Sequence, residues 1–232
     1  MFQSAGGISL SGLTQIILAI GALGTAAYGL VDVSKAFGGG ISNRGFGDIK
    51  DVISRFIPAS SGGKSALSLA SVLATLRANW LNGMAIADQK SIAKALIKLN
   101  LNGASASGMA AATGVDEKVL GSIAAKLSTG EPLTPPETDV YGRFDLLLTA
   151  ALDQGYQRGD QRYRNSAKLL AVPVAIVLAL AGARAMATIP LTGSQIWLAI
   201  GAGLLATPLA PIAKDVASAI QAGSKVAQAW KK

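Results

Sequence analysis

Three long apolar runs, one near the N-terminus and two near the C-terminus, dominate the hydrophobic pattern of the chain. They cover residues 13–31, 169–189 and 195–213, each about 20 residues long. A helix that rises 1.5 Å per residue needs about 20 residues to cross about 30 Å of hydrocarbon. The pattern therefore predicts three transmembrane helices. The last two form a hairpin, because turn residues fill positions 190–193 between them.

Between the outer runs, apolar residues recur every three or four positions, which is typical of amphipathic helices. The clearest stripe consists of Leu69, Val72, Leu73, Leu76, Trp80 and Met84. A glycine-rich connector over residues 37–47 precedes a short helix at 48–56, and Pro136 opens a long helix that runs towards the hairpin. No stretch alternates apolar and polar residues as a strand would. We expect a small all-α bundle here.

The elements together predict an all-α membrane protein with three transmembrane helices and a cytoplasmic helical bundle between the first and the second. Residues 1–33 are the N-terminal transmembrane anchor and 34–167 the cytoplasmic helical domain. Residues 168–213 are the transmembrane hairpin. Residues 214–232 form an amphipathic tail in the membrane interface, with apolar residues on one side and lysines on the other. Packing of this tail against another subunit is the alternative.

Basic residues indicate the orientation, because they are enriched on the cytoplasmic side of membrane proteins. They follow the first span from Lys35 onwards, precede the hairpin up to Lys168 and follow it from Lys214, whereas residues 1–12 and the hairpin turn have none. The N-terminus is therefore expected outside and the C-terminus in the cytoplasm. We expect a multi-pass protein of the bacterial inner membrane.

Aromatic and basic side chains next to the spans are predicted anchors at the membrane interface, where rings and cations meet lipid headgroups. These anchors are Tyr156, Arg158, Arg162, Tyr163, Arg164, Lys168, Trp197 and Trp230. An acidic group of a partner protein is the alternative target for the stretch from Tyr156 to Arg164. Arg184 interrupts the hairpin, and it either extends to the headgroups or acts as a functional charge within the membrane.

Small residues in the first span are candidates for close helix packing. Gly21 and Thr25, and likewise Ala22 and Ala26, are four residues apart, which is the small-xxx-small spacing of helix pairs in lipid. In a helix rich in alanine and glycine the same spacing also arises by chance.

The composition removes most catalytic chemistry. The chain has 232 residues, no cysteine and no histidine, so it has no thiolate or imidazole as metal ligand, nucleophile or general base. We therefore predict that it is not an enzyme and that it has no cofactor or metal. Its net charge of +8 favours anionic lipids as partners.

Two motifs approach nucleotide-binding or DNA-binding patterns without matching them. Residues 58–65 differ from a phosphate-binding loop at the first glycine, where Pro58 fixes φ and removes an N–H. Residues 105–124 resemble the helix-turn-helix of phage-repressor-type regulators, with Gly114 at the turn. Asp116 and Glu117 would begin its recognition helix and repel DNA phosphates, so no nucleic acid is expected as a partner.

The order of the segments resembles that of uncharacterised bacterial inner-membrane proteins. The resemblance comprises the N-terminal anchor, the spacing of Arg44, Ile49 and Ile53, the helical insert, the Arg143-Phe144-Asp145 element and the C-terminal hairpin. It implies no particular activity. The spans are rich in small residues, which favours packing against partner helices. The hypothesis is therefore a non-catalytic accessory or scaffold subunit of a larger inner-membrane assembly, which binds other integral membrane subunits. A homo-oligomeric pore or membrane-remodelling protein is one alternative, and a membrane-tethered DNA-binding regulator is another.

Overall fold

We analysed a computed structural model, which describes residues 10–57 and 68–229, with side chains for 12–57 and 68–222. All regular structure in these ranges is helical, and no strand occurs within them. The predicted all-α class is therefore confirmed. The motif at 58–65 and the predicted anchor Trp230 lie outside the described residues. The helices are α1 (Leu10–Val33), α2 (Ser42–Phe56), α3 (Leu69–Leu81), α4 (Ile86–Leu99), α5 (Ala106–Thr113), α6 (Glu117–Thr129), α7 (Pro135–Met186) and α8 (Gly193–Ala229).

Three helices are long and apolar enough to cross a membrane, as predicted. They lie in Gly12–Ala36, Pro135–Met186 and Gly193–Ala222. Helix α7 has 52 residues and is about 78 Å long, more than twice the thickness of the hydrocarbon. Four charged residues lie between positions 158 and 164, so only the apolar part from Leu169 onwards suits the bilayer.

The chain divides into two compact units. The terminal unit comprises Met1–Gly38 and Asn165–Lys232, and the central unit comprises Gly39–Arg164. Helix α7 contributes its first part to the central unit and its last part to the terminal unit. These boundaries differ by a few residues from the predicted ones at 33/34 and 167/168.

The central unit is a helical bundle around one hydrophobic core. Helix α2 packs against α3, α4 and α5, and α5 packs against α6. The largest fully buried side chains of the bundle are aromatic or long aliphatic: Tyr156, Phe56, Phe144, Ile49, Ile53, Ile57, Leu76, Ile97, Met109, Leu120, Ile123 and Leu148. Apolar side chains of this size contribute most to stability when they are removed from water.

Local signals set the ends of several helices in this bundle. The Asp116 carboxylate accepts a hydrogen bond from the Val119 N–H (2.9 Å) and caps the start of α6. Gly114 (φ 70°) and Gly130 (φ 76°) end α5 and α6 in the left-handed conformation that glycine adopts readily. At the start of α7 the Thr134 N–H donates to the Glu137 carboxylate (2.8 Å), which is one half of a capping box.

The glycine-rich connector is shorter than predicted. Helix α2 begins at Ser42 and not at residue 48, and of the glycines in the predicted connector Gly38, Gly39 and Gly40 have positive φ. Gly45 lies inside the helix, where a Cβ atom would be 2.5 Å from the Gly159 carbonyl oxygen of α7. Glycine is needed here because two helix backbones approach closely. Residues that look like a connector in the sequence therefore form a helix contact.

In the terminal unit, α8 packs along α1, and it continues through Pro208 and Pro211 to Ala229. Residues 214–229 of the predicted tail therefore belong to α8. Glycines make the helix contacts. A Cβ atom on Gly24 of α1 would be 2.0 Å from the Ala206 carbonyl oxygen, and one on Gly203 would be 2.5 Å from the Ile176 Cα of α7.

Candidate functional site

The interior of the terminal unit consists of small residues. No buried side chain described in this unit is larger than valine. The buried residues are Gly21, Gly24, Ala27, Val31, Ala171, Ala175, Ala199, Gly203, Ala206, Thr207, Ala210 and Ala213. Small residues allow helix backbones to approach closely, which is how helices pack in lipid.

The exterior of the same unit is large and apolar. Its exposed side chains include Leu13, Ile16, Leu30, Val33, Phe37, Leu169, Leu170, Val177, Met186, Ile189, Ile196, Trp197, Leu198, Leu204, Leu205, Ile212 and Ile220. Water-soluble surfaces rarely carry such a continuous apolar area. This surface and the three apolar helices are consistent with a membrane protein.

An apolar groove of about 540 Å³ lies between α1, α7 and α8. We call it the small-residue groove, because half of its lining consists of alanine or glycine. Its lining residues are Ala19, Ile20, Leu23, Leu178, Ala179, Gly182, Ala183, Met186, Ala187, Leu191, Gln195, Leu198, Ala199 and Ala202. A backbone could come close to the chain along such a surface.

Arg184 lies one turn from the end of α7, beside the small-residue groove. Its side chain is exposed, and its Nη1 donates to the Ala187 carbonyl oxygen (3.4 Å). A guanidinium at this end of a helix is favourable, because the terminal carbonyl groups carry partial negative charge. The choice between a headgroup contact and a functional intramembrane charge stays a prediction.

Of the four predicted helix-packing residues, one is buried and three are exposed. Gly21 is buried against α8, where its Cβ would overlap the Ala213 side chain. Thr25 donates to the Gly21 carbonyl oxygen (3.0 Å) within α1, and its side chain is exposed, as are Ala22 and Ala26. Contacts of these three residues with another helix stay a prediction.

Tyr156 is not a membrane-interface anchor, and this prediction was wrong. Its side chain is 1% exposed and lies in the core of the central unit. A buried tyrosine hydroxyl group usually has a hydrogen-bond partner, and that of Tyr156 donates to the Gln89 carbonyl oxygen (3.4 Å). A side chain that is enclosed in this way cannot reach lipid headgroups.

The sequence carried a signal for this burial. Tyr156 follows Phe144, Leu148 and Leu152 at intervals of four, so it continues the buried stripe of α7. Tyr163 extends the stripe further. It is half-buried, and its ring packs edge-on against Trp80 at 6.2 Å between centroids.

The predicted basic anchors are exposed, and two of them form ion pairs inside the central unit. Arg162 Nε lies 3.2 Å from Asp48 Oδ2, and Arg164 Nε lies 2.8 Å from Asp160 Oδ2. Arg158 is exposed in the same unit. In the terminal unit Lys168 is exposed, and Trp197 is 72% exposed on the second turn of α8. Their contacts with lipid stay predictions.

Sequence reasoning missed a row of ion pairs between α4 and α7. Asp145 pairs with Lys94 (2.5 Å) and with Lys98 (2.9 Å), and Asp153 pairs with Lys90. The lysines recur every four residues on α4 and the two aspartates eight residues apart on α7, a spacing that places each set on one helix face. The row joins α4 to α7.

Lys98 stays charged in this row. Burial by itself would lower the pKa of its ammonium group, but hydrogen bonds to Asp145 and Tyr141 outweigh burial and raise the pKa above its usual value. The ammonium group also lies 4.7 Å from the centre of the Tyr141 ring. The arrangement stabilises positive charge and does not prepare a lysine nucleophile.

The buried carboxylate of Glu137 has several hydrogen-bond partners. Glu137 is 8% exposed and accepts hydrogen bonds from Ser122 Oγ (2.8 Å) and Lys126 Nζ (2.7 Å), besides its contacts with Thr134. These bonds join α6 to the start of α7. Within the described ranges, no group of three or more acidic side chains could hold a metal ion.

Helices α5 and α6 have the order of a helix-turn-helix, with Gly114 at the turn as predicted. Asp116 is the N-cap of α6, and Glu117 is exposed beside it. Both carboxylates lie where a recognition helix would approach DNA phosphates.

Comparison with known proteins finds no matching family model, no matching curated protein and no matching solved structure. The fold itself defines the class: an all-helical protein with three helices long and apolar enough to span a membrane.

Proposed function

We propose that the chain is a non-catalytic scaffold subunit of a bacterial inner-membrane assembly and that a transmembrane helix of a partner protein binds in its small-residue groove. The groove carries the proposal. Lipid tails are as apolar as leucine, so apolar area alone does not drive helix association in a bilayer. Close van der Waals packing drives helix association in a bilayer, and the alanine and glycine residues that line the groove permit such packing.

The central unit supports a scaffold rather than a catalytic role. Two of its carboxylates, half-buried Asp145 and buried Glu137, are held by lysines of neighbouring helices. The chain has no histidine or cysteine to serve as a general base or nucleophile. These ion pairs join helices to each other, which is a structural task.

In the proposed orientation the N-terminus is outside, and the central unit and the C-terminus are in the cytoplasm. Because the chain has no cysteine, single introduced cysteines report their side without background. In intact cells, a membrane-impermeant maleimide should label Thr192→Cys in the hairpin turn and should not label Ser128→Cys in the central unit. The reverse result would overturn the orientation.

A photo-cross-linking residue at Ala202, which lines the groove, tests partner binding. In native membranes we expect one discrete adduct with another membrane polypeptide. Gly182→Leu should abolish it, because Gly182 lines the groove and no other part of the chain lies within 4 Å of an added Cβ. Gly29→Leu is the matched control: its Cβ is equally unobstructed, but Gly29 does not line the groove.

The outcomes separate the candidate functions. Adducts of two differently tagged copies of this chain would favour the homo-oligomeric alternative. Equal adduct yields in the two leucine variants, or diffuse cross-linking to lipid alone, would overturn partner binding in the groove. Salt-sensitive retention of the chain on DNA would favour the membrane-tethered regulator.

A further inference from the structure

A second pocket of the terminal unit combines a lysine with an apolar wall. It has a volume of about 590 Å³ and lies between α1, α7 and α8. We call it the Lys168 pocket. Its lining residues are Tyr28, Asn165, Lys168, Leu169, Val172, Thr207, Pro208 and Pro211.

Four of the residues that line the Lys168 pocket have polar side chains. Among the described residues, Tyr28, Asn165, Lys168 and Thr207 form no side-chain hydrogen bond or ion pair. Thr207 is only 8% exposed and lines the pocket. The ammonium, amide and hydroxyl groups are all donors, so together they suit an anion with several acceptor oxygens.

One proline adds a free acceptor beside these donors. A proline inside a helix has no N–H for the carbonyl group four residues earlier. Pro211 therefore leaves the carbonyl group of Thr207, a lining residue, without its helical hydrogen bond. Unsatisfied carbonyl groups are costly at a membrane boundary. A ligand with hydroxyl donors could satisfy them.

The position along α7 indicates where this ligand comes from. Lys168 directly precedes the apolar segment that begins at Leu169, so in a bilayer its ammonium group lies at the level of the headgroups. Leu169 and Val172 continue the pocket towards the apolar side. A phosphate at Lys168 with an acyl chain along these two residues matches this change from polar to apolar.

We propose that the Lys168 pocket binds one anionic phospholipid with a hydroxylated headgroup, of the phosphatidylglycerol type. Lys168 holds the phosphate, and Tyr28, Asn165 and Thr207 donate hydrogen bonds to the headgroup. The inference depends on the membrane placement in the proposed function, but it does not depend on a partner in the small-residue groove.

Native mass spectrometry of the full chain in detergent tests the site. Titration with phosphatidylglycerol should give one retained lipid per chain, and phosphatidylcholine with the same acyl chains should be retained at least tenfold more weakly. Lys168→Gln should weaken retention of phosphatidylglycerol about tenfold, because it removes a charged hydrogen-bond donor. Lys214→Gln is the matched control, an exposed lysine of the same unit that does not line the pocket, and should leave retention unchanged.

Further measurements distinguish a lipid headgroup from a soluble anion, and specific binding from unspecific electrostatic attraction. Inorganic phosphate at millimolar concentration should not displace the lipid; full displacement would show a site for soluble anions and overturn the proposal. Equal losses for Lys168→Gln and Lys214→Gln would show unspecific attraction and overturn it as well. Thr207→Val keeps the side-chain shape and should reduce retention several-fold; unchanged retention in both Thr207→Val and Lys168→Gln would also overturn the site.

The result is separable from that of the groove experiment. Retention of one lipid together with no cross-link at Ala202 would leave the lipid site standing and remove the scaffold proposal. A groove adduct without selective lipid retention would do the opposite.

Discussion

The terminal and central units bury opposite kinds of side chain. The central unit encloses phenylalanine, isoleucine, leucine and tyrosine, and within its described residues Leu99, Leu127 and Leu146 are the large apolar side chains that are exposed. The terminal unit encloses alanine and glycine and exposes leucine, isoleucine and tryptophan. One polypeptide thus follows two packing rules.

Helix α7 shows the change within a single element. Its buried apolar side chains are Phe144, Leu148, Leu152 and Tyr156 in the central unit, beside buried Gly155 and Gly159, whereas only Ala171 and Ala175 are buried among its described residues in the terminal unit. Moving a large apolar side chain out of water into a protein core lowers the free energy of the protein. Moving it out of lipid lowers the free energy very little. The small buried residues of its last part are consistent with a membrane protein, as are the three apolar helices.

The sharpest test of the comparison removes a large side chain from the central core. Phe144 is fully buried, so Phe144→Ala should lower the free energy of unfolding of this unit by about 4 kcal/mol. Denaturant unfolding can be followed by the fluorescence of Trp80, which lies in this core, once Trp197 and Trp230 are replaced by phenylalanine.

Leu146→Ala is the control for this experiment. Leu146 is on the same helix but is 72% exposed, so its loss should change the free energy of unfolding by less than about 0.5 kcal/mol. Similar effects of the two substitutions would contradict a core that is stabilised by the burial of large apolar side chains.

The converse test adds a large side chain to the interior of the terminal unit. Gly24→Leu should lower the stability of the packing between α1 and α8 by about 3 kcal/mol, because its Cβ would meet the Ala206 carbonyl group. Unfolding of the chain in mixed micelles with increasing dodecyl sulfate, followed by circular dichroism, measures this loss.

Ala22→Leu, two residues earlier on the exposed face of α1, provides the comparison. It should cost less than about 0.5 kcal/mol in micelles of the isolated chain. If leucine were tolerated at Gly24 as well as at Ala22, the small interior would not be required for packing.

The smallest effect is expected at the ion pairs of the central unit. Asp145→Asn removes the partner of Lys94 and Lys98 and should cost about 1 kcal/mol at neutral pH. The pKa of Lys98 is raised in the folded state, so its contribution is complete below the usual lysine pKa and is lost as the pH rises through the higher, folded value. The gap between wild type and variant should therefore close in strongly alkaline solution.

Asp160→Asn is the comparison for this measurement, because it removes a single surface ion pair. Asp160 pairs with Arg164 one turn further along α7, and such surface pairs contribute about 0.3–0.5 kcal/mol. Arginine keeps its charge at alkaline pH, so this smaller difference should not close. A pH-independent gap at Asp145 would show that its stabilising role does not depend on the lysine charges.

Some features of the fold and of the candidate site could be predicted from local sequence patterns, and others could not. The N-caps and the turn at Gly114 could be read from neighbouring residues, as could the continuation of the buried stripe to Tyr156. The register of Lys90, Lys94 and Lys98 against α7 could not, because the paired side chains are 47 to 63 positions apart in sequence. The groove and the Lys168 pocket likewise combine α1 with α7 and α8.

By itself, the sequence determined the helical class, the three apolar helices and the absence of thiol and imidazole chemistry. These are properties of composition and of short-range periodicity, and they do not depend on which helices meet. Only the tertiary structure decided that Gly45 belongs to a helix and that Tyr156 is enclosed. It also decided that Gly24 and Gly203 form the contacts of α8. The space beside a residue depends on a distant backbone, and that information is not local to any stretch of the chain.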